Sequence, residues 1–212
     1  MKFASPDFSI PETGLPESEF PVGFPTETVW GLGAPPTRAG WEALIRVKGR
    51  DPKQAFQVSC ASGELALRLA REPEVLEPLT RFWPGPLTLV VPAQPELADY
   101  LARGGWVGLR VPAHPAAQAL LQESGGYLLT SSLNLSGQPT ARTEAEARAL
   151  GLARRVIGDG GQPPSGAAST VLRVGEGQLE VLRAGALPLD EIQAQLQGTP
   201  LADLSFVSAA AH

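Results

Sequence analysis

The feature that most constrains the fold is an alternation of strand-like and helix-like segments, separated by turns rich in glycine and proline. Apolar and alternating runs predict strands at Phe20–Phe24, Phe56–Cys60, Leu87–Val91, Val107–Val111 and Tyr127–Ser131, and a late hairpin of Thr170–Val174 with Leu179–Arg183. Helical spacing predicts helices at Ala39–Val47, Gly63–Arg71, Glu74–Phe82, Pro95–Ala102, Pro115–Gln122 and Leu189–Leu196, and a helix capped by Thr143 that runs to Arg155. This order predicts a three-layer α/β fold, with helices on both faces of a sheet that the hairpin makes mixed.

The composition suits one globular domain. For the 212 residues we expect an N-terminal segment over 1–19, a folded domain over 20–198 and a tail over 199–212 that is a candidate for disorder. Charged residues make up 18% and hydrophobic residues 43%, and no secretory signal or membrane span is recognisable, which predicts a cytoplasmic protein. The net charge of −5 argues against a surface built mainly for nucleic-acid backbone. The single cysteine, Cys60, excludes an internal disulfide and a Cys-rich zinc site.

Polar residues are concentrated in the nonapeptide Pro25-Thr-Glu-Thr-Val-Trp-Gly-Leu-Gly33, directly after the first predicted strand. Two hydroxyls, an acid, an aromatic ring and two glycines are typical of a loop that binds a small polar ligand, because convergent polar groups confer specificity. Lys48-Gly-Arg50 follows and offers two cations for phosphate or carboxylate oxygens. The alternative is a solvated helix end whose charges complement the helix dipole.

Further polar groups follow later strands. In Thr130-Ser-Ser-Leu-Asn-Leu-Ser-Gly137, Ser132 and Asn134 either face one ligand or form a turn, and Thr140 ends the same loop. Arg110 lies inside an apolar strand, where a guanidinium is costly unless paired. It therefore pairs with an internal acid or faces a ligand anion.

A flexible loop, Gly160-Gly-Gln-Pro-Pro-Ser-Gly-Ala-Ala-Ser169, precedes the hairpin and could close on a phosphate through backbone donors. It lacks the lysine and the spacing of a P-loop, which excludes that class of ATPase. Arg183 adds a cation at the end of the last predicted strand. With two histidines in the chain, neither a Ser/His/Asp triad nor a His-rich metal site can be assembled.

Taken in order, these segments resemble the YrdC-like family of threonylcarbamoyl-AMP synthases, in its short single-domain form, across about Phe20–Ala186. The resemblance rests on the nonapeptide and Lys-Gly-Arg, and on Phe82-Trp-Pro-Gly-Pro-Leu-Thr88, Val-Gly-Leu-Arg-Val-Pro112, Ser-Leu-Asn-Leu-Ser-Gly-Gln-Pro139, Ser-Gly-Ala-Ala-Ser-Thr-Val171 and Leu-Arg-Ala-Gly185. It implies a twisted sheet with a concave, positively lined site. It also implies a reaction in which L-threonine, bicarbonate (or CO2) and ATP give threonylcarbamoyl-AMP and pyrophosphate, for the t6A modification of tRNA.

The resemblance further implies roles for individual residues. For L-threonine it implies Thr26, Arg110, Thr130 and Ser169, with Ser169 between the two substrates. For ATP it implies Lys48, Arg50, Ser132, Asn134, Thr140 and Arg183, with Lys48 and Arg50 also catalytic through the phosphates. Mg2+ is expected to arrive with ATP, without a metal site of protein side chains. The expected partners are the threonylcarbamoyl transferase machinery of the t6A pathway and, more weakly, RNA.

Two departures from the family pattern bear on function. Trp30 stands where the family usually has tyrosine, which keeps a stacking surface but loses a hydroxyl. Ser59 stands where a histidine near threonine is common. These departures leave open an RNA-binding or assembly module with weakened catalysis. A third alternative is a carbamoyl-adenylating relative of the kind found in hydrogenase maturation.

Overall fold

A computed structural model describes residue 10, residues 14–175 and residues 177–208. Ten strands form one sheet in the order β10-β9-β8-β4-β5-β3-β6-β2-β1-β7. The strands are β1 Val22–Pro25, β2 Trp30–Ala34, β3 Gln57–Cys60, β4 Leu87–Pro92, β5 Trp106–Arg110, β6 Tyr127–Ser132, β7 Arg155–Val156, β8 Thr170–Gly175, β9 Gln178–Arg183 and β10 Ser205–Ser208. Parallel pairs such as β3 with β5 stand beside antiparallel pairs such as β8 with β9, so the sheet is mixed.

Helices connect most of the strands. They are α1 Arg38–Lys48, α2 Gly63–Leu67, α3 Pro73–Leu76, α4 Pro115–Glu123, α5 Glu144–Ala149 and α6 Leu189–Leu196, with 3-10 turns at Glu17–Glu19 and Glu77–Phe82. Helix α1 shows how local sequence sets their bounds: the Thr37 side chain accepts a hydrogen bond from the Gly40 amide, and Gly49 ends the helix at a φ of 58°. With one twisted, unclosed sheet and these helices, the predicted α/β class is confirmed.

Alternation along the strands separates the core from an open face of the sheet. In β8, Thr170, Leu172 and Val174 are buried, whereas Val171 and Arg173 between them are half-exposed. Strands β1 and β2 differ, because every residue in both is buried and packing therefore covers both faces there. The sheet is thus closed over at the β1–β2 end and open on one face toward β8.

Strand β2 is absent from the sequence prediction, which treats this part of the nonapeptide as loop. The strand pairs antiparallel with β1 and with β6, and only residues 26–29 form the turn. A Cβ atom on Gly31 would lie 2.8 Å from Cζ of Phe24, so glycine is required where the ring crosses the strand. Two glycines interrupt the apolar pattern by which a strand is recognised in sequence.

Three predicted helices differ from the structure in kind or extent, and a fourth, at Glu74–Phe82, is divided into α3 and the 3-10 turn Glu77–Phe82. The helix at Pro95–Ala102 is wrong, because these residues form turns that short backbone bonds close, such as Leu101 N–H to Ala98 O. The helix capped by Thr143 ends at Ala149 instead of Arg155, and Gly151, at a φ of 63°, turns the chain into β7. The helix predicted at Gly63–Arg71 ends at Leu67.

The chain beyond residue 198 continues the fold through residue 208. Leu201 is buried, and β10 adds to the sheet in parallel with β9. The expectation of a disordered tail is therefore wrong for residues 199–208, and its last residues, 209–212, lie outside the described residues. Of the segment over 1–19, only residue 10 and residues 14–19 are described, among them the 3-10 turn.

Lys48, the last residue of α1, anchors the loop that follows β6. Its ammonium donates to the Ser132 carbonyl at 2.5 Å, to the Asn134 carbonyl at 2.8 Å and to Asn134 Oδ1 at 3.0 Å. An ammonium has three hydrogens, so all of its donors are used. Burial and the nearby charge of Arg50 lower the pKa of Lys48 to about 8. The loop that carries Ser132 is thus held by a buried cation that titrates near neutrality.

Replacing Lys48 with methionine leaves these buried acceptors without their donor. We expect Lys48→Met to lower the free energy of unfolding by about 1–3 kcal/mol in urea titrations. Lys53→Met, at an exposed position, is the matched control and should change it little.

Because the pKa of Lys48 is lowered, the difference in the free energy of unfolding between the wild type and Lys48→Met should depend on pH. Between about pH 8 and about pH 10.4 the unfolded lysine binds a proton that the folded lysine has released, so folding gains stability as the pH rises. The stability advantage of the wild type over Lys48→Met should therefore grow across this interval, by up to about 1.4 kcal/mol per pH unit. An advantage that stays constant or shrinks would show that burial does not depress this pKa.

Candidate active site

A cavity of about 690 Å³ opens on the half-exposed face of the sheet. Residues of β3, β4, β5, β6, β8 and β9 line it, together with the loops after α1 and before β8. Five arginines contribute to the lining: Arg50, Arg103, Arg110, Arg173 and Arg183. No Asp or Glu side chain is among the described residues that line it. A chain of net charge −5 therefore carries a concave, positively lined site, as the sequence predicts.

The arginines differ in how far the protein already neutralises them. Arg173 forms an ion pair with Glu180 at 2.9 Å, and Arg103 donates to the Pro52 carbonyl. Arg50 and Arg183 have no carboxylate partner among the described residues. Burial lowers the pKa of both, and for Arg183 the charge of Arg110 lowers it further. Cations held in this way favour an anionic ligand.

Of the two alternatives that its sequence context leaves open, Arg110 shows the pairing with an internal acid. Its Nη2 donates to Glu27 Oε1 at 2.7 Å and to Thr28 Oγ1 at 2.7 Å, so it pairs with an internal acid. Its Nε is buried and has no hydrogen-bond partner. Arg110 also lines the cavity, so its guanidinium is anchored through Nη2, while Nε has no partner among the described residues.

A second, smaller pocket of about 20 Å³ adjoins the large cavity. Residues that line both are Val29, Gln57, Arg110 and Thr130. Thr26 and Ser59 line the small pocket but not the large cavity. Its volume suits one small group of a ligand whose remainder lies in the large cavity.

The predicted substrate-binding residues fall into three groups. Those that line the large cavity are Arg50, Arg110, Thr130, Ser132, Thr140, Ser169 and Arg183. Thr26 lines only the small pocket, and its hydroxyl donates to the Val29 carbonyl at 2.6 Å, within the 26–29 turn. Lys48 and Asn134 line neither space, because both hold the loop after β6 in place. The assignment of each residue to threonine or ATP stays a prediction.

Two loops supply less to the cavity than the sequence suggests. Asn134 accepts from Lys48 and from Ser132, whose hydroxyl lies 2.6 Å from Oδ1, and its amide donates to the Gln138 carbonyl. In the loop before β8, the amide of Gly166 donates to the Thr28 carbonyl at 2.8 Å. This backbone donor fastens the loop to the 26–29 turn instead of facing a phosphate.

Trp30 does not provide the stacking surface that the sequence suggests. Its side chain is completely buried, and it lines neither the cavity nor the small pocket. The reason is the alternation of β2, in which Gly31 lines the small pocket and Trp30 therefore points to the opposite face. The change from tyrosine at this position thus acts on the core.

Sequence reasoning missed several residues that line the cavity: Gln57, Thr88, Arg103, Trp106 and Arg173. Two of them could have been found from alternation along a strand. Trp106 lies four residues before Arg110 on β5 and so shares its face, and Gln57 shares the face of Ser59 on β3. The contribution of Arg103 depends on tertiary contacts that no local pattern reports.

The described residues contain no group of three or more His, Cys, Asp or Glu side chains that could hold a metal ion. In the same part of the chain, no helix is long and apolar enough to cross a membrane.

Comparison with known proteins identifies relatives of the chain. Residues 17–185 match the profile of the Sua5/YciO/YrdC family, which is described as telomere recombination. The threonylcarbamoyl-AMP synthase of Pyrococcus abyssi is 40% identical over 179 residues, which cover 81% of this chain and 52% of that protein. The enzyme of the same name from Bacillus subtilis is 38% identical over 180 residues, which cover 82% of this chain and 52% of that protein. The chain thus spans about half the length of these two relatives.

A solved structure resembles the fold closely. The crystal structure of Pyrococcus abyssi Sua5 in complex with L-threonine matches with a TM-score of 0.77 and 34% identity, and the match covers 88% of this chain and 55% of that one. The family profile covers more than half of the 212 residues and agrees with the motifs that the sequence analysis identified. The chain belongs to the Sua5/YciO/YrdC family.

Proposed function

We propose that this protein is a threonylcarbamoyl-AMP synthase, which forms threonylcarbamoyl-AMP and pyrophosphate from L-threonine, bicarbonate and ATP. The observation that carries the proposal is a cavity whose lining, in the described part of the chain, contains five arginines and no acid, joined to a small pocket at Arg110. Such a site suits two anionic substrates that must meet. The relatives named threonylcarbamoyl-AMP synthase support this function over that of an RNA-binding module.

L-Threonine is proposed to bind at the junction of the small pocket and the cavity. Its carboxylate would accept from Nε of Arg110, the buried donor that has no partner. Thr130 lines both spaces and would contribute a hydroxyl. Thr26, whose hydroxyl serves the 26–29 turn, would contribute the wall of the pocket. A small apolar group such as the threonine methyl suits the volume of about 20 Å³.

ATP is proposed to bind in the large cavity, whose volume lies within the roughly 300–1,000 Å³ of small-molecule sites. Arg50 and Arg183 would neutralise phosphate oxygens, and Thr140 would donate a hydrogen bond. The Ser132 hydroxyl, whose hydrogen goes to Asn134 Oδ1, would accept a hydrogen bond from the nucleotide. Mg2+ would enter as part of the nucleotide substrate, since the lining offers hydroxyls and guanidiniums rather than carboxylates. Lys48 and Asn134 would act by positioning Ser132.

The proposed reaction requires positioning and charge stabilisation rather than a protein nucleophile. The threonine amine combines with bicarbonate or CO2 to give a carbamate, and a carbamate oxygen attacks the α-phosphorus as pyrophosphate leaves. Arg50 and Arg183 would stabilise the charge that develops on the phosphates. Ser169 accepts from Arg183 at 2.9 Å and would lie between the two substrates. Holding three substrates together would supply much of the acceleration.

The product would supply the threonylcarbamoyl transferase machinery of the t6A pathway, so we propose a cytoplasmic location, where tRNA is modified. The direct test incubates purified protein with ATP, labelled L-threonine and bicarbonate and measures threonylcarbamoyl-AMP and pyrophosphate. Both products are expected in equal amounts. Salt-sensitive RNA binding without product would favour the RNA-binding alternative, and turnover with carbamoyl phosphate instead of bicarbonate would favour the carbamoyl-adenylating one.

Removing the cation of Arg50 tests the proposed phosphate contact. We expect Arg50→Ala to lower kcat/KM for ATP by more than about tenfold, since one charged hydrogen bond contributes at least this much. Arg46→Ala, at an exposed position of the helix α1 that precedes Arg50, is the matched control and should keep wild-type kinetics. Equal kinetics for the two variants would remove Arg50 from the site.

Changing the shape but not the charge of Arg110 tests the proposed carboxylate contact. Arg110→Lys retains a cation for Glu27 but lacks the Nε donor, so KM for L-threonine should rise by about tenfold or more. The melting temperature of the variant checks that the ion pair still supports the fold. A folded variant with an unchanged KM for L-threonine would contradict the assignment.

A further inference from the structure

A chain of hydrogen-bonded side chains crosses the floor of the cavity from β6 to β9. At one end, Ser59 Oγ lies 2.7 Å from Thr130 Oγ1. Gln57 Nε2 donates to Ser59 Oγ at 3.4 Å, and Thr88 Oγ1 donates to Gln57 Oε1 at 3.2 Å. The other end is formed by Thr88, Ser169 and Arg183, with Thr88 Oγ1 2.9 Å from Ser169 Oγ and Arg183 Nη2 donating to Ser169 Oγ at 2.9 Å.

Gln57 makes this chain continuous by reaching across β5. In the sheet, β5 lies between β3, which carries Gln57, and β4, which carries Thr88. The residue of β5 opposite Gln57 is Gly108, which also lies opposite Val90 of β4. Because Gly108 has no side chain, the Gln57 amide can span the intervening strand.

The amide of Gln57 also gives the chain a direction. Hydroxyls can donate either way, whereas a primary amide has separate donor and acceptor atoms. Thr88 donates to the Gln57 oxygen, so Thr88 must accept from Ser169. On the other side Ser59 accepts from the Gln57 nitrogen, and its own hydrogen is satisfied when it donates to Thr130, the other side chain with which it bonds among the described residues. The hydrogen of the Thr130 hydroxyl is then the one left to donate to a ligand.

We infer that Gln57 is a positioning residue for the amino-acid substrate, because it orients the Thr130 hydroxyl as a donor into the small pocket. Thr130 and Arg110 line that pocket together, and both then present donors, Oγ1–H and Nε–H. A carboxylate only accepts hydrogen bonds, so it matches this pair. Aligned hydrogen bonds that begin at the cation of Arg183 polarise one another and strengthen the terminal donor. The inference rests on the proposed function for the identity of the ligand.

Two near-isosteric substitutions separate this role from packing. Gln57→Glu keeps the shape but, when ionised, only accepts, so Ser59 must donate to it and Thr130 must donate to Ser59. Gln57→Met keeps the length and removes both polar atoms. We expect Kd for L-threonine, measured by calorimetry, to rise by about tenfold for Gln57→Glu and by about threefold or more for Gln57→Met. For Gln57→Met, which leaves the charge of the cavity lining unchanged, the Kd for ATP should rise less than the Kd for L-threonine.

A pH series supplies a result that a packing role cannot produce. A protonated carboxyl has one donor and one acceptor, as the amide has, so the affinity of Gln57→Glu for L-threonine should recover as the pH falls. Gln57→Met should not recover. Gln122→Glu, at an exposed position of α4, is the control for the added charge.

The outcomes separate this inference from the proposed function. Wild-type affinity for L-threonine in both Gln57 variants, or equal losses without recovery at low pH, would overturn the role of Gln57 while synthase turnover stands. An absence of turnover in the wild type would overturn the proposed function, and the calorimetric comparison would still decide whether Gln57 orients the donor.

Discussion

The ion pair of Arg110 with Glu27 is the interaction on which the site depends. A guanidinium inside a sheet is stable only if its charge is compensated, and Glu27 provides this at 2.7 Å. The other oxygen of Glu27 accepts from the Ala113 amide at 3.0 Å, which joins the 26–29 turn to the end of β5. The loop before β8 bonds to the Glu27 and Thr28 carbonyls. This charge pair and these backbone bonds thus join three segments around the small pocket, and Nε of Arg110 stays without a partner among the described residues.

Much of the fold follows from sequence because its strands are apolar and bounded by turns. Strands β3, β4, β5, β6 and the β8–β9 hairpin, and helices α1, α4 and α6, lie within a few residues of their predicted positions. The predictions fail where tertiary contacts override local pattern. Strand β2 exists because Gly31 and Gly33 admit the ring of Phe24, and β10 exists because β9 offers it an edge. The contact of β2 with Phe24 and the pairing of β10 with β9 cannot be predicted from the residues of β2 or β10 alone.

In the candidate site, too, some features could be predicted from sequence and others depend on tertiary contacts. Seven of the residues that the family resemblance implies do line the cavity, because the ordered set of motifs carries more information than any one of them alone. Sequence reasoning could not predict that the Lys48 ammonium donates all three hydrogens to the loop after β6, because the acceptor oxygens of Ser132 and Asn134 lie more than eighty residues away in the chain. Nor could it connect Gln57 with Thr88, which requires the strand order of the sheet and a glycine on the strand between them.

We propose that Arg110 serves both the fold and the ligand: its Nη2 is held by Glu27, and its Nε binds the carboxylate of L-threonine. A crystal structure of the protein with L-threonine tests this most directly. We expect a carboxylate oxygen of L-threonine within about 3 Å of both Arg110 Nε and Thr130 Oγ1, with the ion pair between Arg110 and Glu27 intact. L-Threonine bound through Arg50 or Arg183 in the large cavity, with Nε of Arg110 still unpaired, would contradict it.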